Sequence, residues 1–186
     1  MSASDKDGPP TPASVSNALH HAVAHGNLIA GRAVAAAAAA NGIAVNVGHV
    51  RSAGVSLLQA AVRSHRVSTV QFVLGLAPPA VLAASGLLGS ALLDAVMHRA
   101  PRAVIEALLL AGADPNQMGD DGHTPATKAV TLHGASHLHW VQCVLDALQD
   151  TATVHPRPNF DVYSDIIKGT VNSRVYALRQ APTTST

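Results

Sequence analysis

Cysteine is nearly absent from this chain, with Cys143 as the only one among 186 residues. A single thiol cannot form an intrachain disulfide, and it cannot by itself build a thiolate zinc site. Such sparse cysteine usage is typical of proteins that act in a reducing compartment. We therefore expect a cytoplasmic protein.

Aromatic and charged side chains are also scarce. They make up 3% and 12% of the chain, against 48% for hydrophobic residues. Because Ala, Val and Leu carry most of this hydrophobic content, we expect a core of small side chains that pack closely together. The formal net charge is +1, and the basic residues are spread along the sequence, without the basic stripe that duplex nucleic acid requires. Nucleic acid is therefore not an expected partner.

Signals for export and for membrane insertion are both weak. Residues 1–17 contain two acids and several Pro and Ser but no apolar run, which excludes a signal peptide of the general export pathway. The stretch from Val67 to Leu93 has no charged residue and is long enough to span a bilayer. Pro78, Pro79 and three glycines interrupt it, and a membrane helix would have to satisfy every freed backbone group inside the lipid. We expect no membrane span.

No motif of enzymatic catalysis or nucleotide binding occurs in the sequence. The densest group of histidines is His133, His137 and His139, and zinc can bind three imidazoles and a water molecule. However, no carboxylate stands beside the group, and its spacing matches no known zinc motif. A dyad of Cys143 with a histidine is also disfavoured, because a thiol buried in an apolar helix is inert. We expect no enzyme, no metal and no cofactor.

Four of the Ala-Val pairs in the sequence recur at nearly regular intervals in the middle of the chain. Their alanines are Ala22, Ala61, Ala95 and Ala129, at intervals of 39, 34 and 34 residues. A nearly fixed period of about 33 residues is the signature of an array in which helical units stack on one another. This periodicity predicts the architecture before any helix propensity is considered.

The segment from Leu108 to Val130, LLLAGADPNQMGDDGHTPATKAV, contains the clearest copy of the repeat. Gly112 is placed to close one helix in the left-handed conformation, and Thr124 and Pro125 are placed as the N-cap and first residue of the next. Between them, residues 114–122 form a projecting turn. This segment resembles the ankyrin repeat, which implies an all-α solenoid of helix-turn-helix pairs that binds other proteins through its turns and inner helices.

The resemblance extends over an array at residues 15–150, with repeats at about 17–50, 54–86, 89–118 and 122–150. The first repeat matches the family pattern at Leu19, His20 and Ala22, and its second helix carries an unbroken alanine run at residues 35–40. The helix of the second repeat ends at the Pro78-Pro79 pair.

Three further segments lie beside or between these repeats. Residues 77–89 form either an exposed finger that presents Val81, Leu82, Leu87 and Leu88 or, as we favour, a short helix folded back on the array. Residues 151–179 are predicted to form a linker and a C-terminal capping helix, because apolar residues recur there at helical spacing. Residues 1–14 and 180–186 are predicted to be disordered tails.

A histidine follows each of the four recurring Ala-Val pairs by two or three residues, namely His25, His65, His98 and His133. One interpretation is that these histidines and the arginines near them only complement the partial negative charge at helix C-termini. The other is that this row, with Arg63, Arg66, Arg99 and Arg102 in the same zone, forms a basic strip that faces Asp120 and Asp121 across a groove, with a partner docked between them. Its candidate contacts are His65, Arg66, His98 and Arg99. Histidines in such a strip would make docking sensitive to acidification.

The projecting turn supplies the remaining candidate contacts. By analogy with the family, these are Met118, Asp120, Asp121 and His123, although Asp and Gly also occupy turns for conformational reasons alone. We therefore predict a non-enzymatic protein interaction module, either an adaptor or an inhibitor of a partner protein. The alternative is a bacterial effector, exported by a dedicated apparatus and docking on a host protein through the same surface. The Ser- and Pro-rich N-terminus and the Ala- and Arg-rich composition suggest it.

Overall fold

A computed structural model describes residues 11–48, 54–78, 82, 86–134 and 136–150. Within these ranges the chain forms eight α-helices and no β-strand, which confirms the predicted all-α class. The helices are α1 (Pro12–Ala24), α2 (Leu28–Ala40), α3 (Leu57–Arg63), α4 (Val67–Leu74), α5 (Leu87–Met97), α6 (Arg102–Leu110), α7 (Pro125–His133) and α8 (Leu138–Asp150).

The helices are arranged as four consecutive pairs in two rows. Each odd-numbered helix packs against the even-numbered helix that follows it. The odd-numbered helices also contact one another in order and form a first row, and the even-numbered helices do the same in a second row. The hydrophobic core runs between the two rows and is continuous from α1 to α8.

The recurring Ala-Val pairs lie at the centre of the first row. All eight of their residues are buried: Ala22, Val23, Ala61, Val62, Ala95, Val96, Ala129 and Val130. Alanine at this position lets neighbouring helices approach closely, while the adjacent valine fills the space between the rows. The repeat period in the sequence thus corresponds to one helix pair in the structure.

Helix ends form where the local sequence signals predict them. The Ser56 hydroxyl accepts a hydrogen bond from the Gln59 amide, and the Thr124 hydroxyl accepts one from the Thr127 amide, so both residues are N-caps. Pro125 is the first residue of α7, and Gly112 has a φ of +99° after α6. These four predictions are confirmed.

Two predicted boundaries are wrong. Helix α1 begins at Pro12, after Thr11 has capped it, so residues 12–14 are helical and do not belong to a disordered tail. Helix α5 begins at Leu87, before the predicted start at residue 89. Leu82 and Leu88 are buried, which contradicts the exposed finger at these two positions, the alternative that we did not favour. Val81 and the predicted linker, capping helix and C-terminal tail at residues 151–186 lie outside the described residues.

The uncharged stretch from Val67 to Leu93 is divided between helices α4 and α5. Within the described residues, no helix is both long enough and apolar enough to cross a membrane.

Candidate functional site

A cavity of about 460 Å³ lies on the first row, between helices α3, α5 and α7 and the projecting turn that joins α6 to α7. We refer to it as the groove. Its charged lining residues are Arg63, Asp94, Asp120, Asp121 and Lys128, and its large apolar lining residues are Leu93, Met97 and Met118. The groove therefore brings together three of the predicted contacts, namely Met118, Asp120 and Asp121.

An ion pair at the base of the groove links helix α3 to helix α5. Arg63 donates two hydrogen bonds to Asp94, from Nε to Oδ2 at 2.9 Å and from Nη2 to Oδ1 at 2.7 Å. Asp94 is only 4% exposed, so this fork supplies the partners that a buried carboxylate needs. The hydrogen bond to Asp94 also raises the pKa of Arg63 above its ordinary value. The guanidinium is therefore a fixed positive charge that is already neutralised.

The projecting turn is held against helix α5 by close contacts at two glycines. The Gln117 amide occupies the space that a Cβ atom on Gly89 would take. A Cβ atom on Gly119 would lie 3.2 Å from the Leu93 side chain, which is a tight but less severe contact. These contacts set the position of Met118, which is 68% exposed, and Met97 beside the groove is 40% exposed.

The two acids of the turn differ in their partners. Lys128 Nζ lies 2.6 Å from Oδ2 of Asp121, and the hydrogen bond lowers the pKa of Asp121, with a smaller contribution from the backbone N–H of His123. His123 is thereby drawn toward its own turn, with Nδ1 3.6 Å from Asp121 Oδ2. Asp120 is exposed and forms no ion pair with any described residue.

Of the predicted basic strip, Arg63 lines the groove with these acids, whereas its four candidate contacts do not. None of His65, Arg66, His98 and Arg99 is among the residues that line the groove. The Arg66 guanidinium reaches back to the carbonyl oxygen of Gly26, at 3.4 Å, and Arg99 contacts His137. Both arginines lie at the short connections between the two helices of a pair, away from the lining of the groove. The docking of a partner between the basic strip and the acidic turn stays a prediction.

Two of the four aligned histidines complement helix ends. The Nδ1 atoms of His25 and His98 lie 2.8 and 2.9 Å from the carbonyl oxygens of His21 and Asp94, four residues earlier. Each of these carbonyl oxygens also accepts the backbone N–H of the same histidine, so the imidazole adds a second contact at the helix C-terminus. For these two residues the geometry supports the helix-end interpretation.

The other two aligned histidines have different roles. His65 occupies the left-handed region with a φ of +57°, at the position that Gly26 holds after α1 and Arg99, at +52°, holds after α5. A residue with a side chain pays roughly 1 kcal/mol or more in this conformation. His133 lies in helix α7, where its Nε2 is 3.1 Å from the Val96 carbonyl oxygen and its ring meets the edge of Trp140.

The histidine-rich connection between α7 and α8 packs against the preceding helix pair. Trp140 donates a hydrogen bond of 3.1 Å from Nε1 to the Ala100 carbonyl oxygen. Desolvation lowers the pKa of His137, and the positive charges of Arg99 and His133 lower it further. Within the described part of the chain, no three residues of the metal-ligating types form a group that could hold a metal ion.

Cys143 is less buried than the sequence predicted. It is half-buried in helix α8, and its Sγ lies 3.9 Å from Nε2 of His139, one helical turn earlier. His139 is thus directed toward the thiol and not toward His133 and His137.

Sequence reasoning missed the ion pair and the contacts that position the turn. A signal for the ion pair was present, because Asp94 directly precedes its Ala-Val pair and Arg63 directly follows the preceding one. Because α3 and α5 are neighbours in the first row, the residue directly after the Ala-Val pair of α3 lies next to the residue directly before the pair of α5. The contact between Gln117 and Gly89 has no comparable signal, since it depends on where the turn folds back.

Known proteins provide no closer guide to this site. The chain matches no family model and is not similar to any curated protein. The function of the chain is therefore inferred from the geometry of the groove.

Proposed function

We propose that this chain is a non-enzymatic protein interaction module, built from four ankyrin-like helix pairs, that binds a partner protein in the groove. Two features support the proposal. The helix pairs recur with the period of a stacked array and form two ordered rows. In addition, the groove is lined by both first-row helices and a projecting turn, the two elements that such arrays use for binding.

The observation that carries the proposal is the exposure of Met118 on a turn that is held in place. Exposed apolar side chains that adjoin one another and are rimmed by polar groups mark interaction surfaces, and Met118 has such surroundings in the groove. Met97 extends this apolar surface across the groove from helix α5. Methionine is flexible and polarisable, so the pair can adapt to the shape of a partner side chain.

The proposed role is that of an adaptor or an inhibitor, acting in the cytoplasm of the cell that makes the chain. In either role the module works by occupying a surface of its partner. No reaction is required of its side chains.

The experiment that tests this proposal compares two changes of similar chemistry at different places. The double variant Met97→Ser and Met118→Ser removes the apolar surface of the groove, whereas Leu110→Ser removes a side chain that is 81% exposed but does not line the groove. Each tagged chain is used to capture proteins from native cells, and the proteins are quantified by mass spectrometry.

We expect one or more saturable partners to be lost with the double variant and retained with Leu110→Ser. Circular dichroism should show the same helix content for all three chains, since all three side chains are at least partly exposed. Equal capture by the wild type and the double variant would contradict binding in the groove.

A further inference from the structure

Among the described residues, the charges that line the groove are paired except for one. Arg63 is neutralised by Asp94, and Lys128 is neutralised by Asp121, in both cases with a contact below 3 Å. Asp120 lines the same groove without an ion partner among the described residues. The groove therefore offers one unneutralised carboxylate beside the exposed side chains of Met97 and Met118.

We propose that the groove receives a segment of a partner protein that presents a Lys or Arg side chain to Asp120 and an apolar side chain to Met97 and Met118. This inference rests on the proposed function and specifies its partner. The sign of the charge follows from complementarity, because unlike charges across an interface steer association and like charges exclude wrong partners.

An acidic segment fits the groove poorly. To bind one, Arg63 would have to leave Asp94, and a buried carboxylate would then lose both of its hydrogen bonds. Lys128 would likewise have to leave Asp121. The two cations of the groove are thus committed within the chain, and the remaining specificity is for positive charge.

A polypeptide segment also fits better than a small molecule. Small-molecule sites enclose most of the surface of their ligand. Here the two methionines are 40% and 68% exposed, so they cover one side of a ligand only. A segment anchored on the rest of a folded partner does not need to be enclosed.

The test uses a phage-displayed library of random peptides, about a dozen residues long, selected on the full chain. Enriched peptides are then synthesised, and their dissociation constants are measured for the wild type, for Asp120→Asn and for Asp114→Asn. Asp114→Asn is the matched control, because it removes the same charge from the same turn at an exposed residue that does not line the groove.

We expect the enriched peptides to carry Lys or Arg close to an apolar residue. Asp120→Asn should weaken their binding about two- to fivefold, the range for an exposed ion pair, while Asp114→Asn leaves it unchanged. Added salt should weaken wild-type binding and should have less effect on Asp120→Asn.

Failure of this inference can be told apart from failure of the proposed function. Peptides that lose binding with the double variant Met97→Ser and Met118→Ser but not with Asp120→Asn would overturn the inference and leave the function standing. The same holds if the enriched peptides are acidic or uncharged. Peptides that bind the double methionine variant as tightly as the wild type would count against both the inference and the proposed function. The absence of any enriched peptide would do the same.

Discussion

Helices α2 and α6 are each the second helix of a pair, yet they are built in opposite ways; α2 ends the second row, and α6 lies between two neighbours. In α2, which contains the alanine run, only Gly31 and Ala38 are buried. In α6 the buried residues are Val104, Ile105, Leu108 and Leu109. One helix has the sequence that forms a helix most readily, and the other has the sequence that packs most firmly.

A sequence that forms a helix readily therefore need not contribute much to the stability of the array. Burial of a large aliphatic side chain contributes about 1.5–3 kcal/mol, whereas an alanine has little surface to bury. Helix α2 instead lies close to α4, with Gly31 against the ring of Phe72. The well-packed pair of α5 and α6 supports the groove and its projecting turn, so the firm packing lies where the proposed binding surface needs a rigid base.

The largest expected effect on the free energy of unfolding is in α6, the better packed of the two helices. Ile105→Ala in α6 should lower the free energy of unfolding by about 2–5 kcal/mol, because it leaves a cavity in a fully buried site. Ala38→Gly, at the buried position of α2, should lower it by only about 1 kcal/mol, mainly through backbone entropy. Urea denaturation of both variants measures the two values. Equal losses would show that the two helices contribute alike.

A smaller effect is expected where the two halves of the array meet, at the ion pair between α3 and α5. Arg63→Met keeps the length of the side chain but removes both hydrogen bonds to the buried Asp94, which should lower the free energy of unfolding by about 1–3 kcal/mol. The control is Arg32→Met on α2, an exposed arginine with no ion pair to a described residue, where a change within about 0.5 kcal/mol is expected. A similar loss for both would mean that the fork adds nothing specific.

Much of the helical framework could be predicted from the sequence, because its signals are local. Ser56, Thr124 and Gly112 act through hydrogen bonds or backbone conformations that involve only nearby residues. The Ala-Val spacing likewise located the buried centre of each first-row helix. The arrangement around the groove was harder to predict, since the fork between Arg63 and Asp94 depends on how two helices are offset in the row.

The row of histidines shows why the candidate site was only partly predicted. His25 and His98 lie two residues after the valine of their pair, whereas His65 and His133 lie three residues after it. One residue turns a side chain by about 100° around a helix, so these histidines do not form one line. Accordingly, His25 and His98 reach helix carbonyls, while His65 takes the left-handed position and His133 contacts the next pair. By contrast, Met118, Asp120 and Asp121 line one groove, because they lie close together on a short turn between two helices whose ends the sequence predicts. Their contact with a partner stays a prediction.

The smallest expected effect concerns two threonines, one in the second helix pair and one in the fourth. Thr69 in α4 is fully buried, and its hydroxyl has no hydrogen-bond partner in the described part of the chain, whereas the Thr127 hydroxyl in α7 lies 2.9 Å from the Thr124 carbonyl oxygen that accepts its hydrogen bond. Valine has nearly the same shape without the hydroxyl. Thr69→Val should therefore raise the free energy of unfolding by up to about 1 kcal/mol, because an unsatisfied polar group is removed, and Thr127→Val should lower it by about 1 kcal/mol. Urea titration of the two variants gives both signs. If Thr69→Val loses as much stability as Thr127→Val, the Thr69 hydroxyl has a hydrogen-bond partner, such as a bound water. The buried hydroxyl of the second helix pair would then be as well hydrogen-bonded as the Thr127 hydroxyl of the fourth.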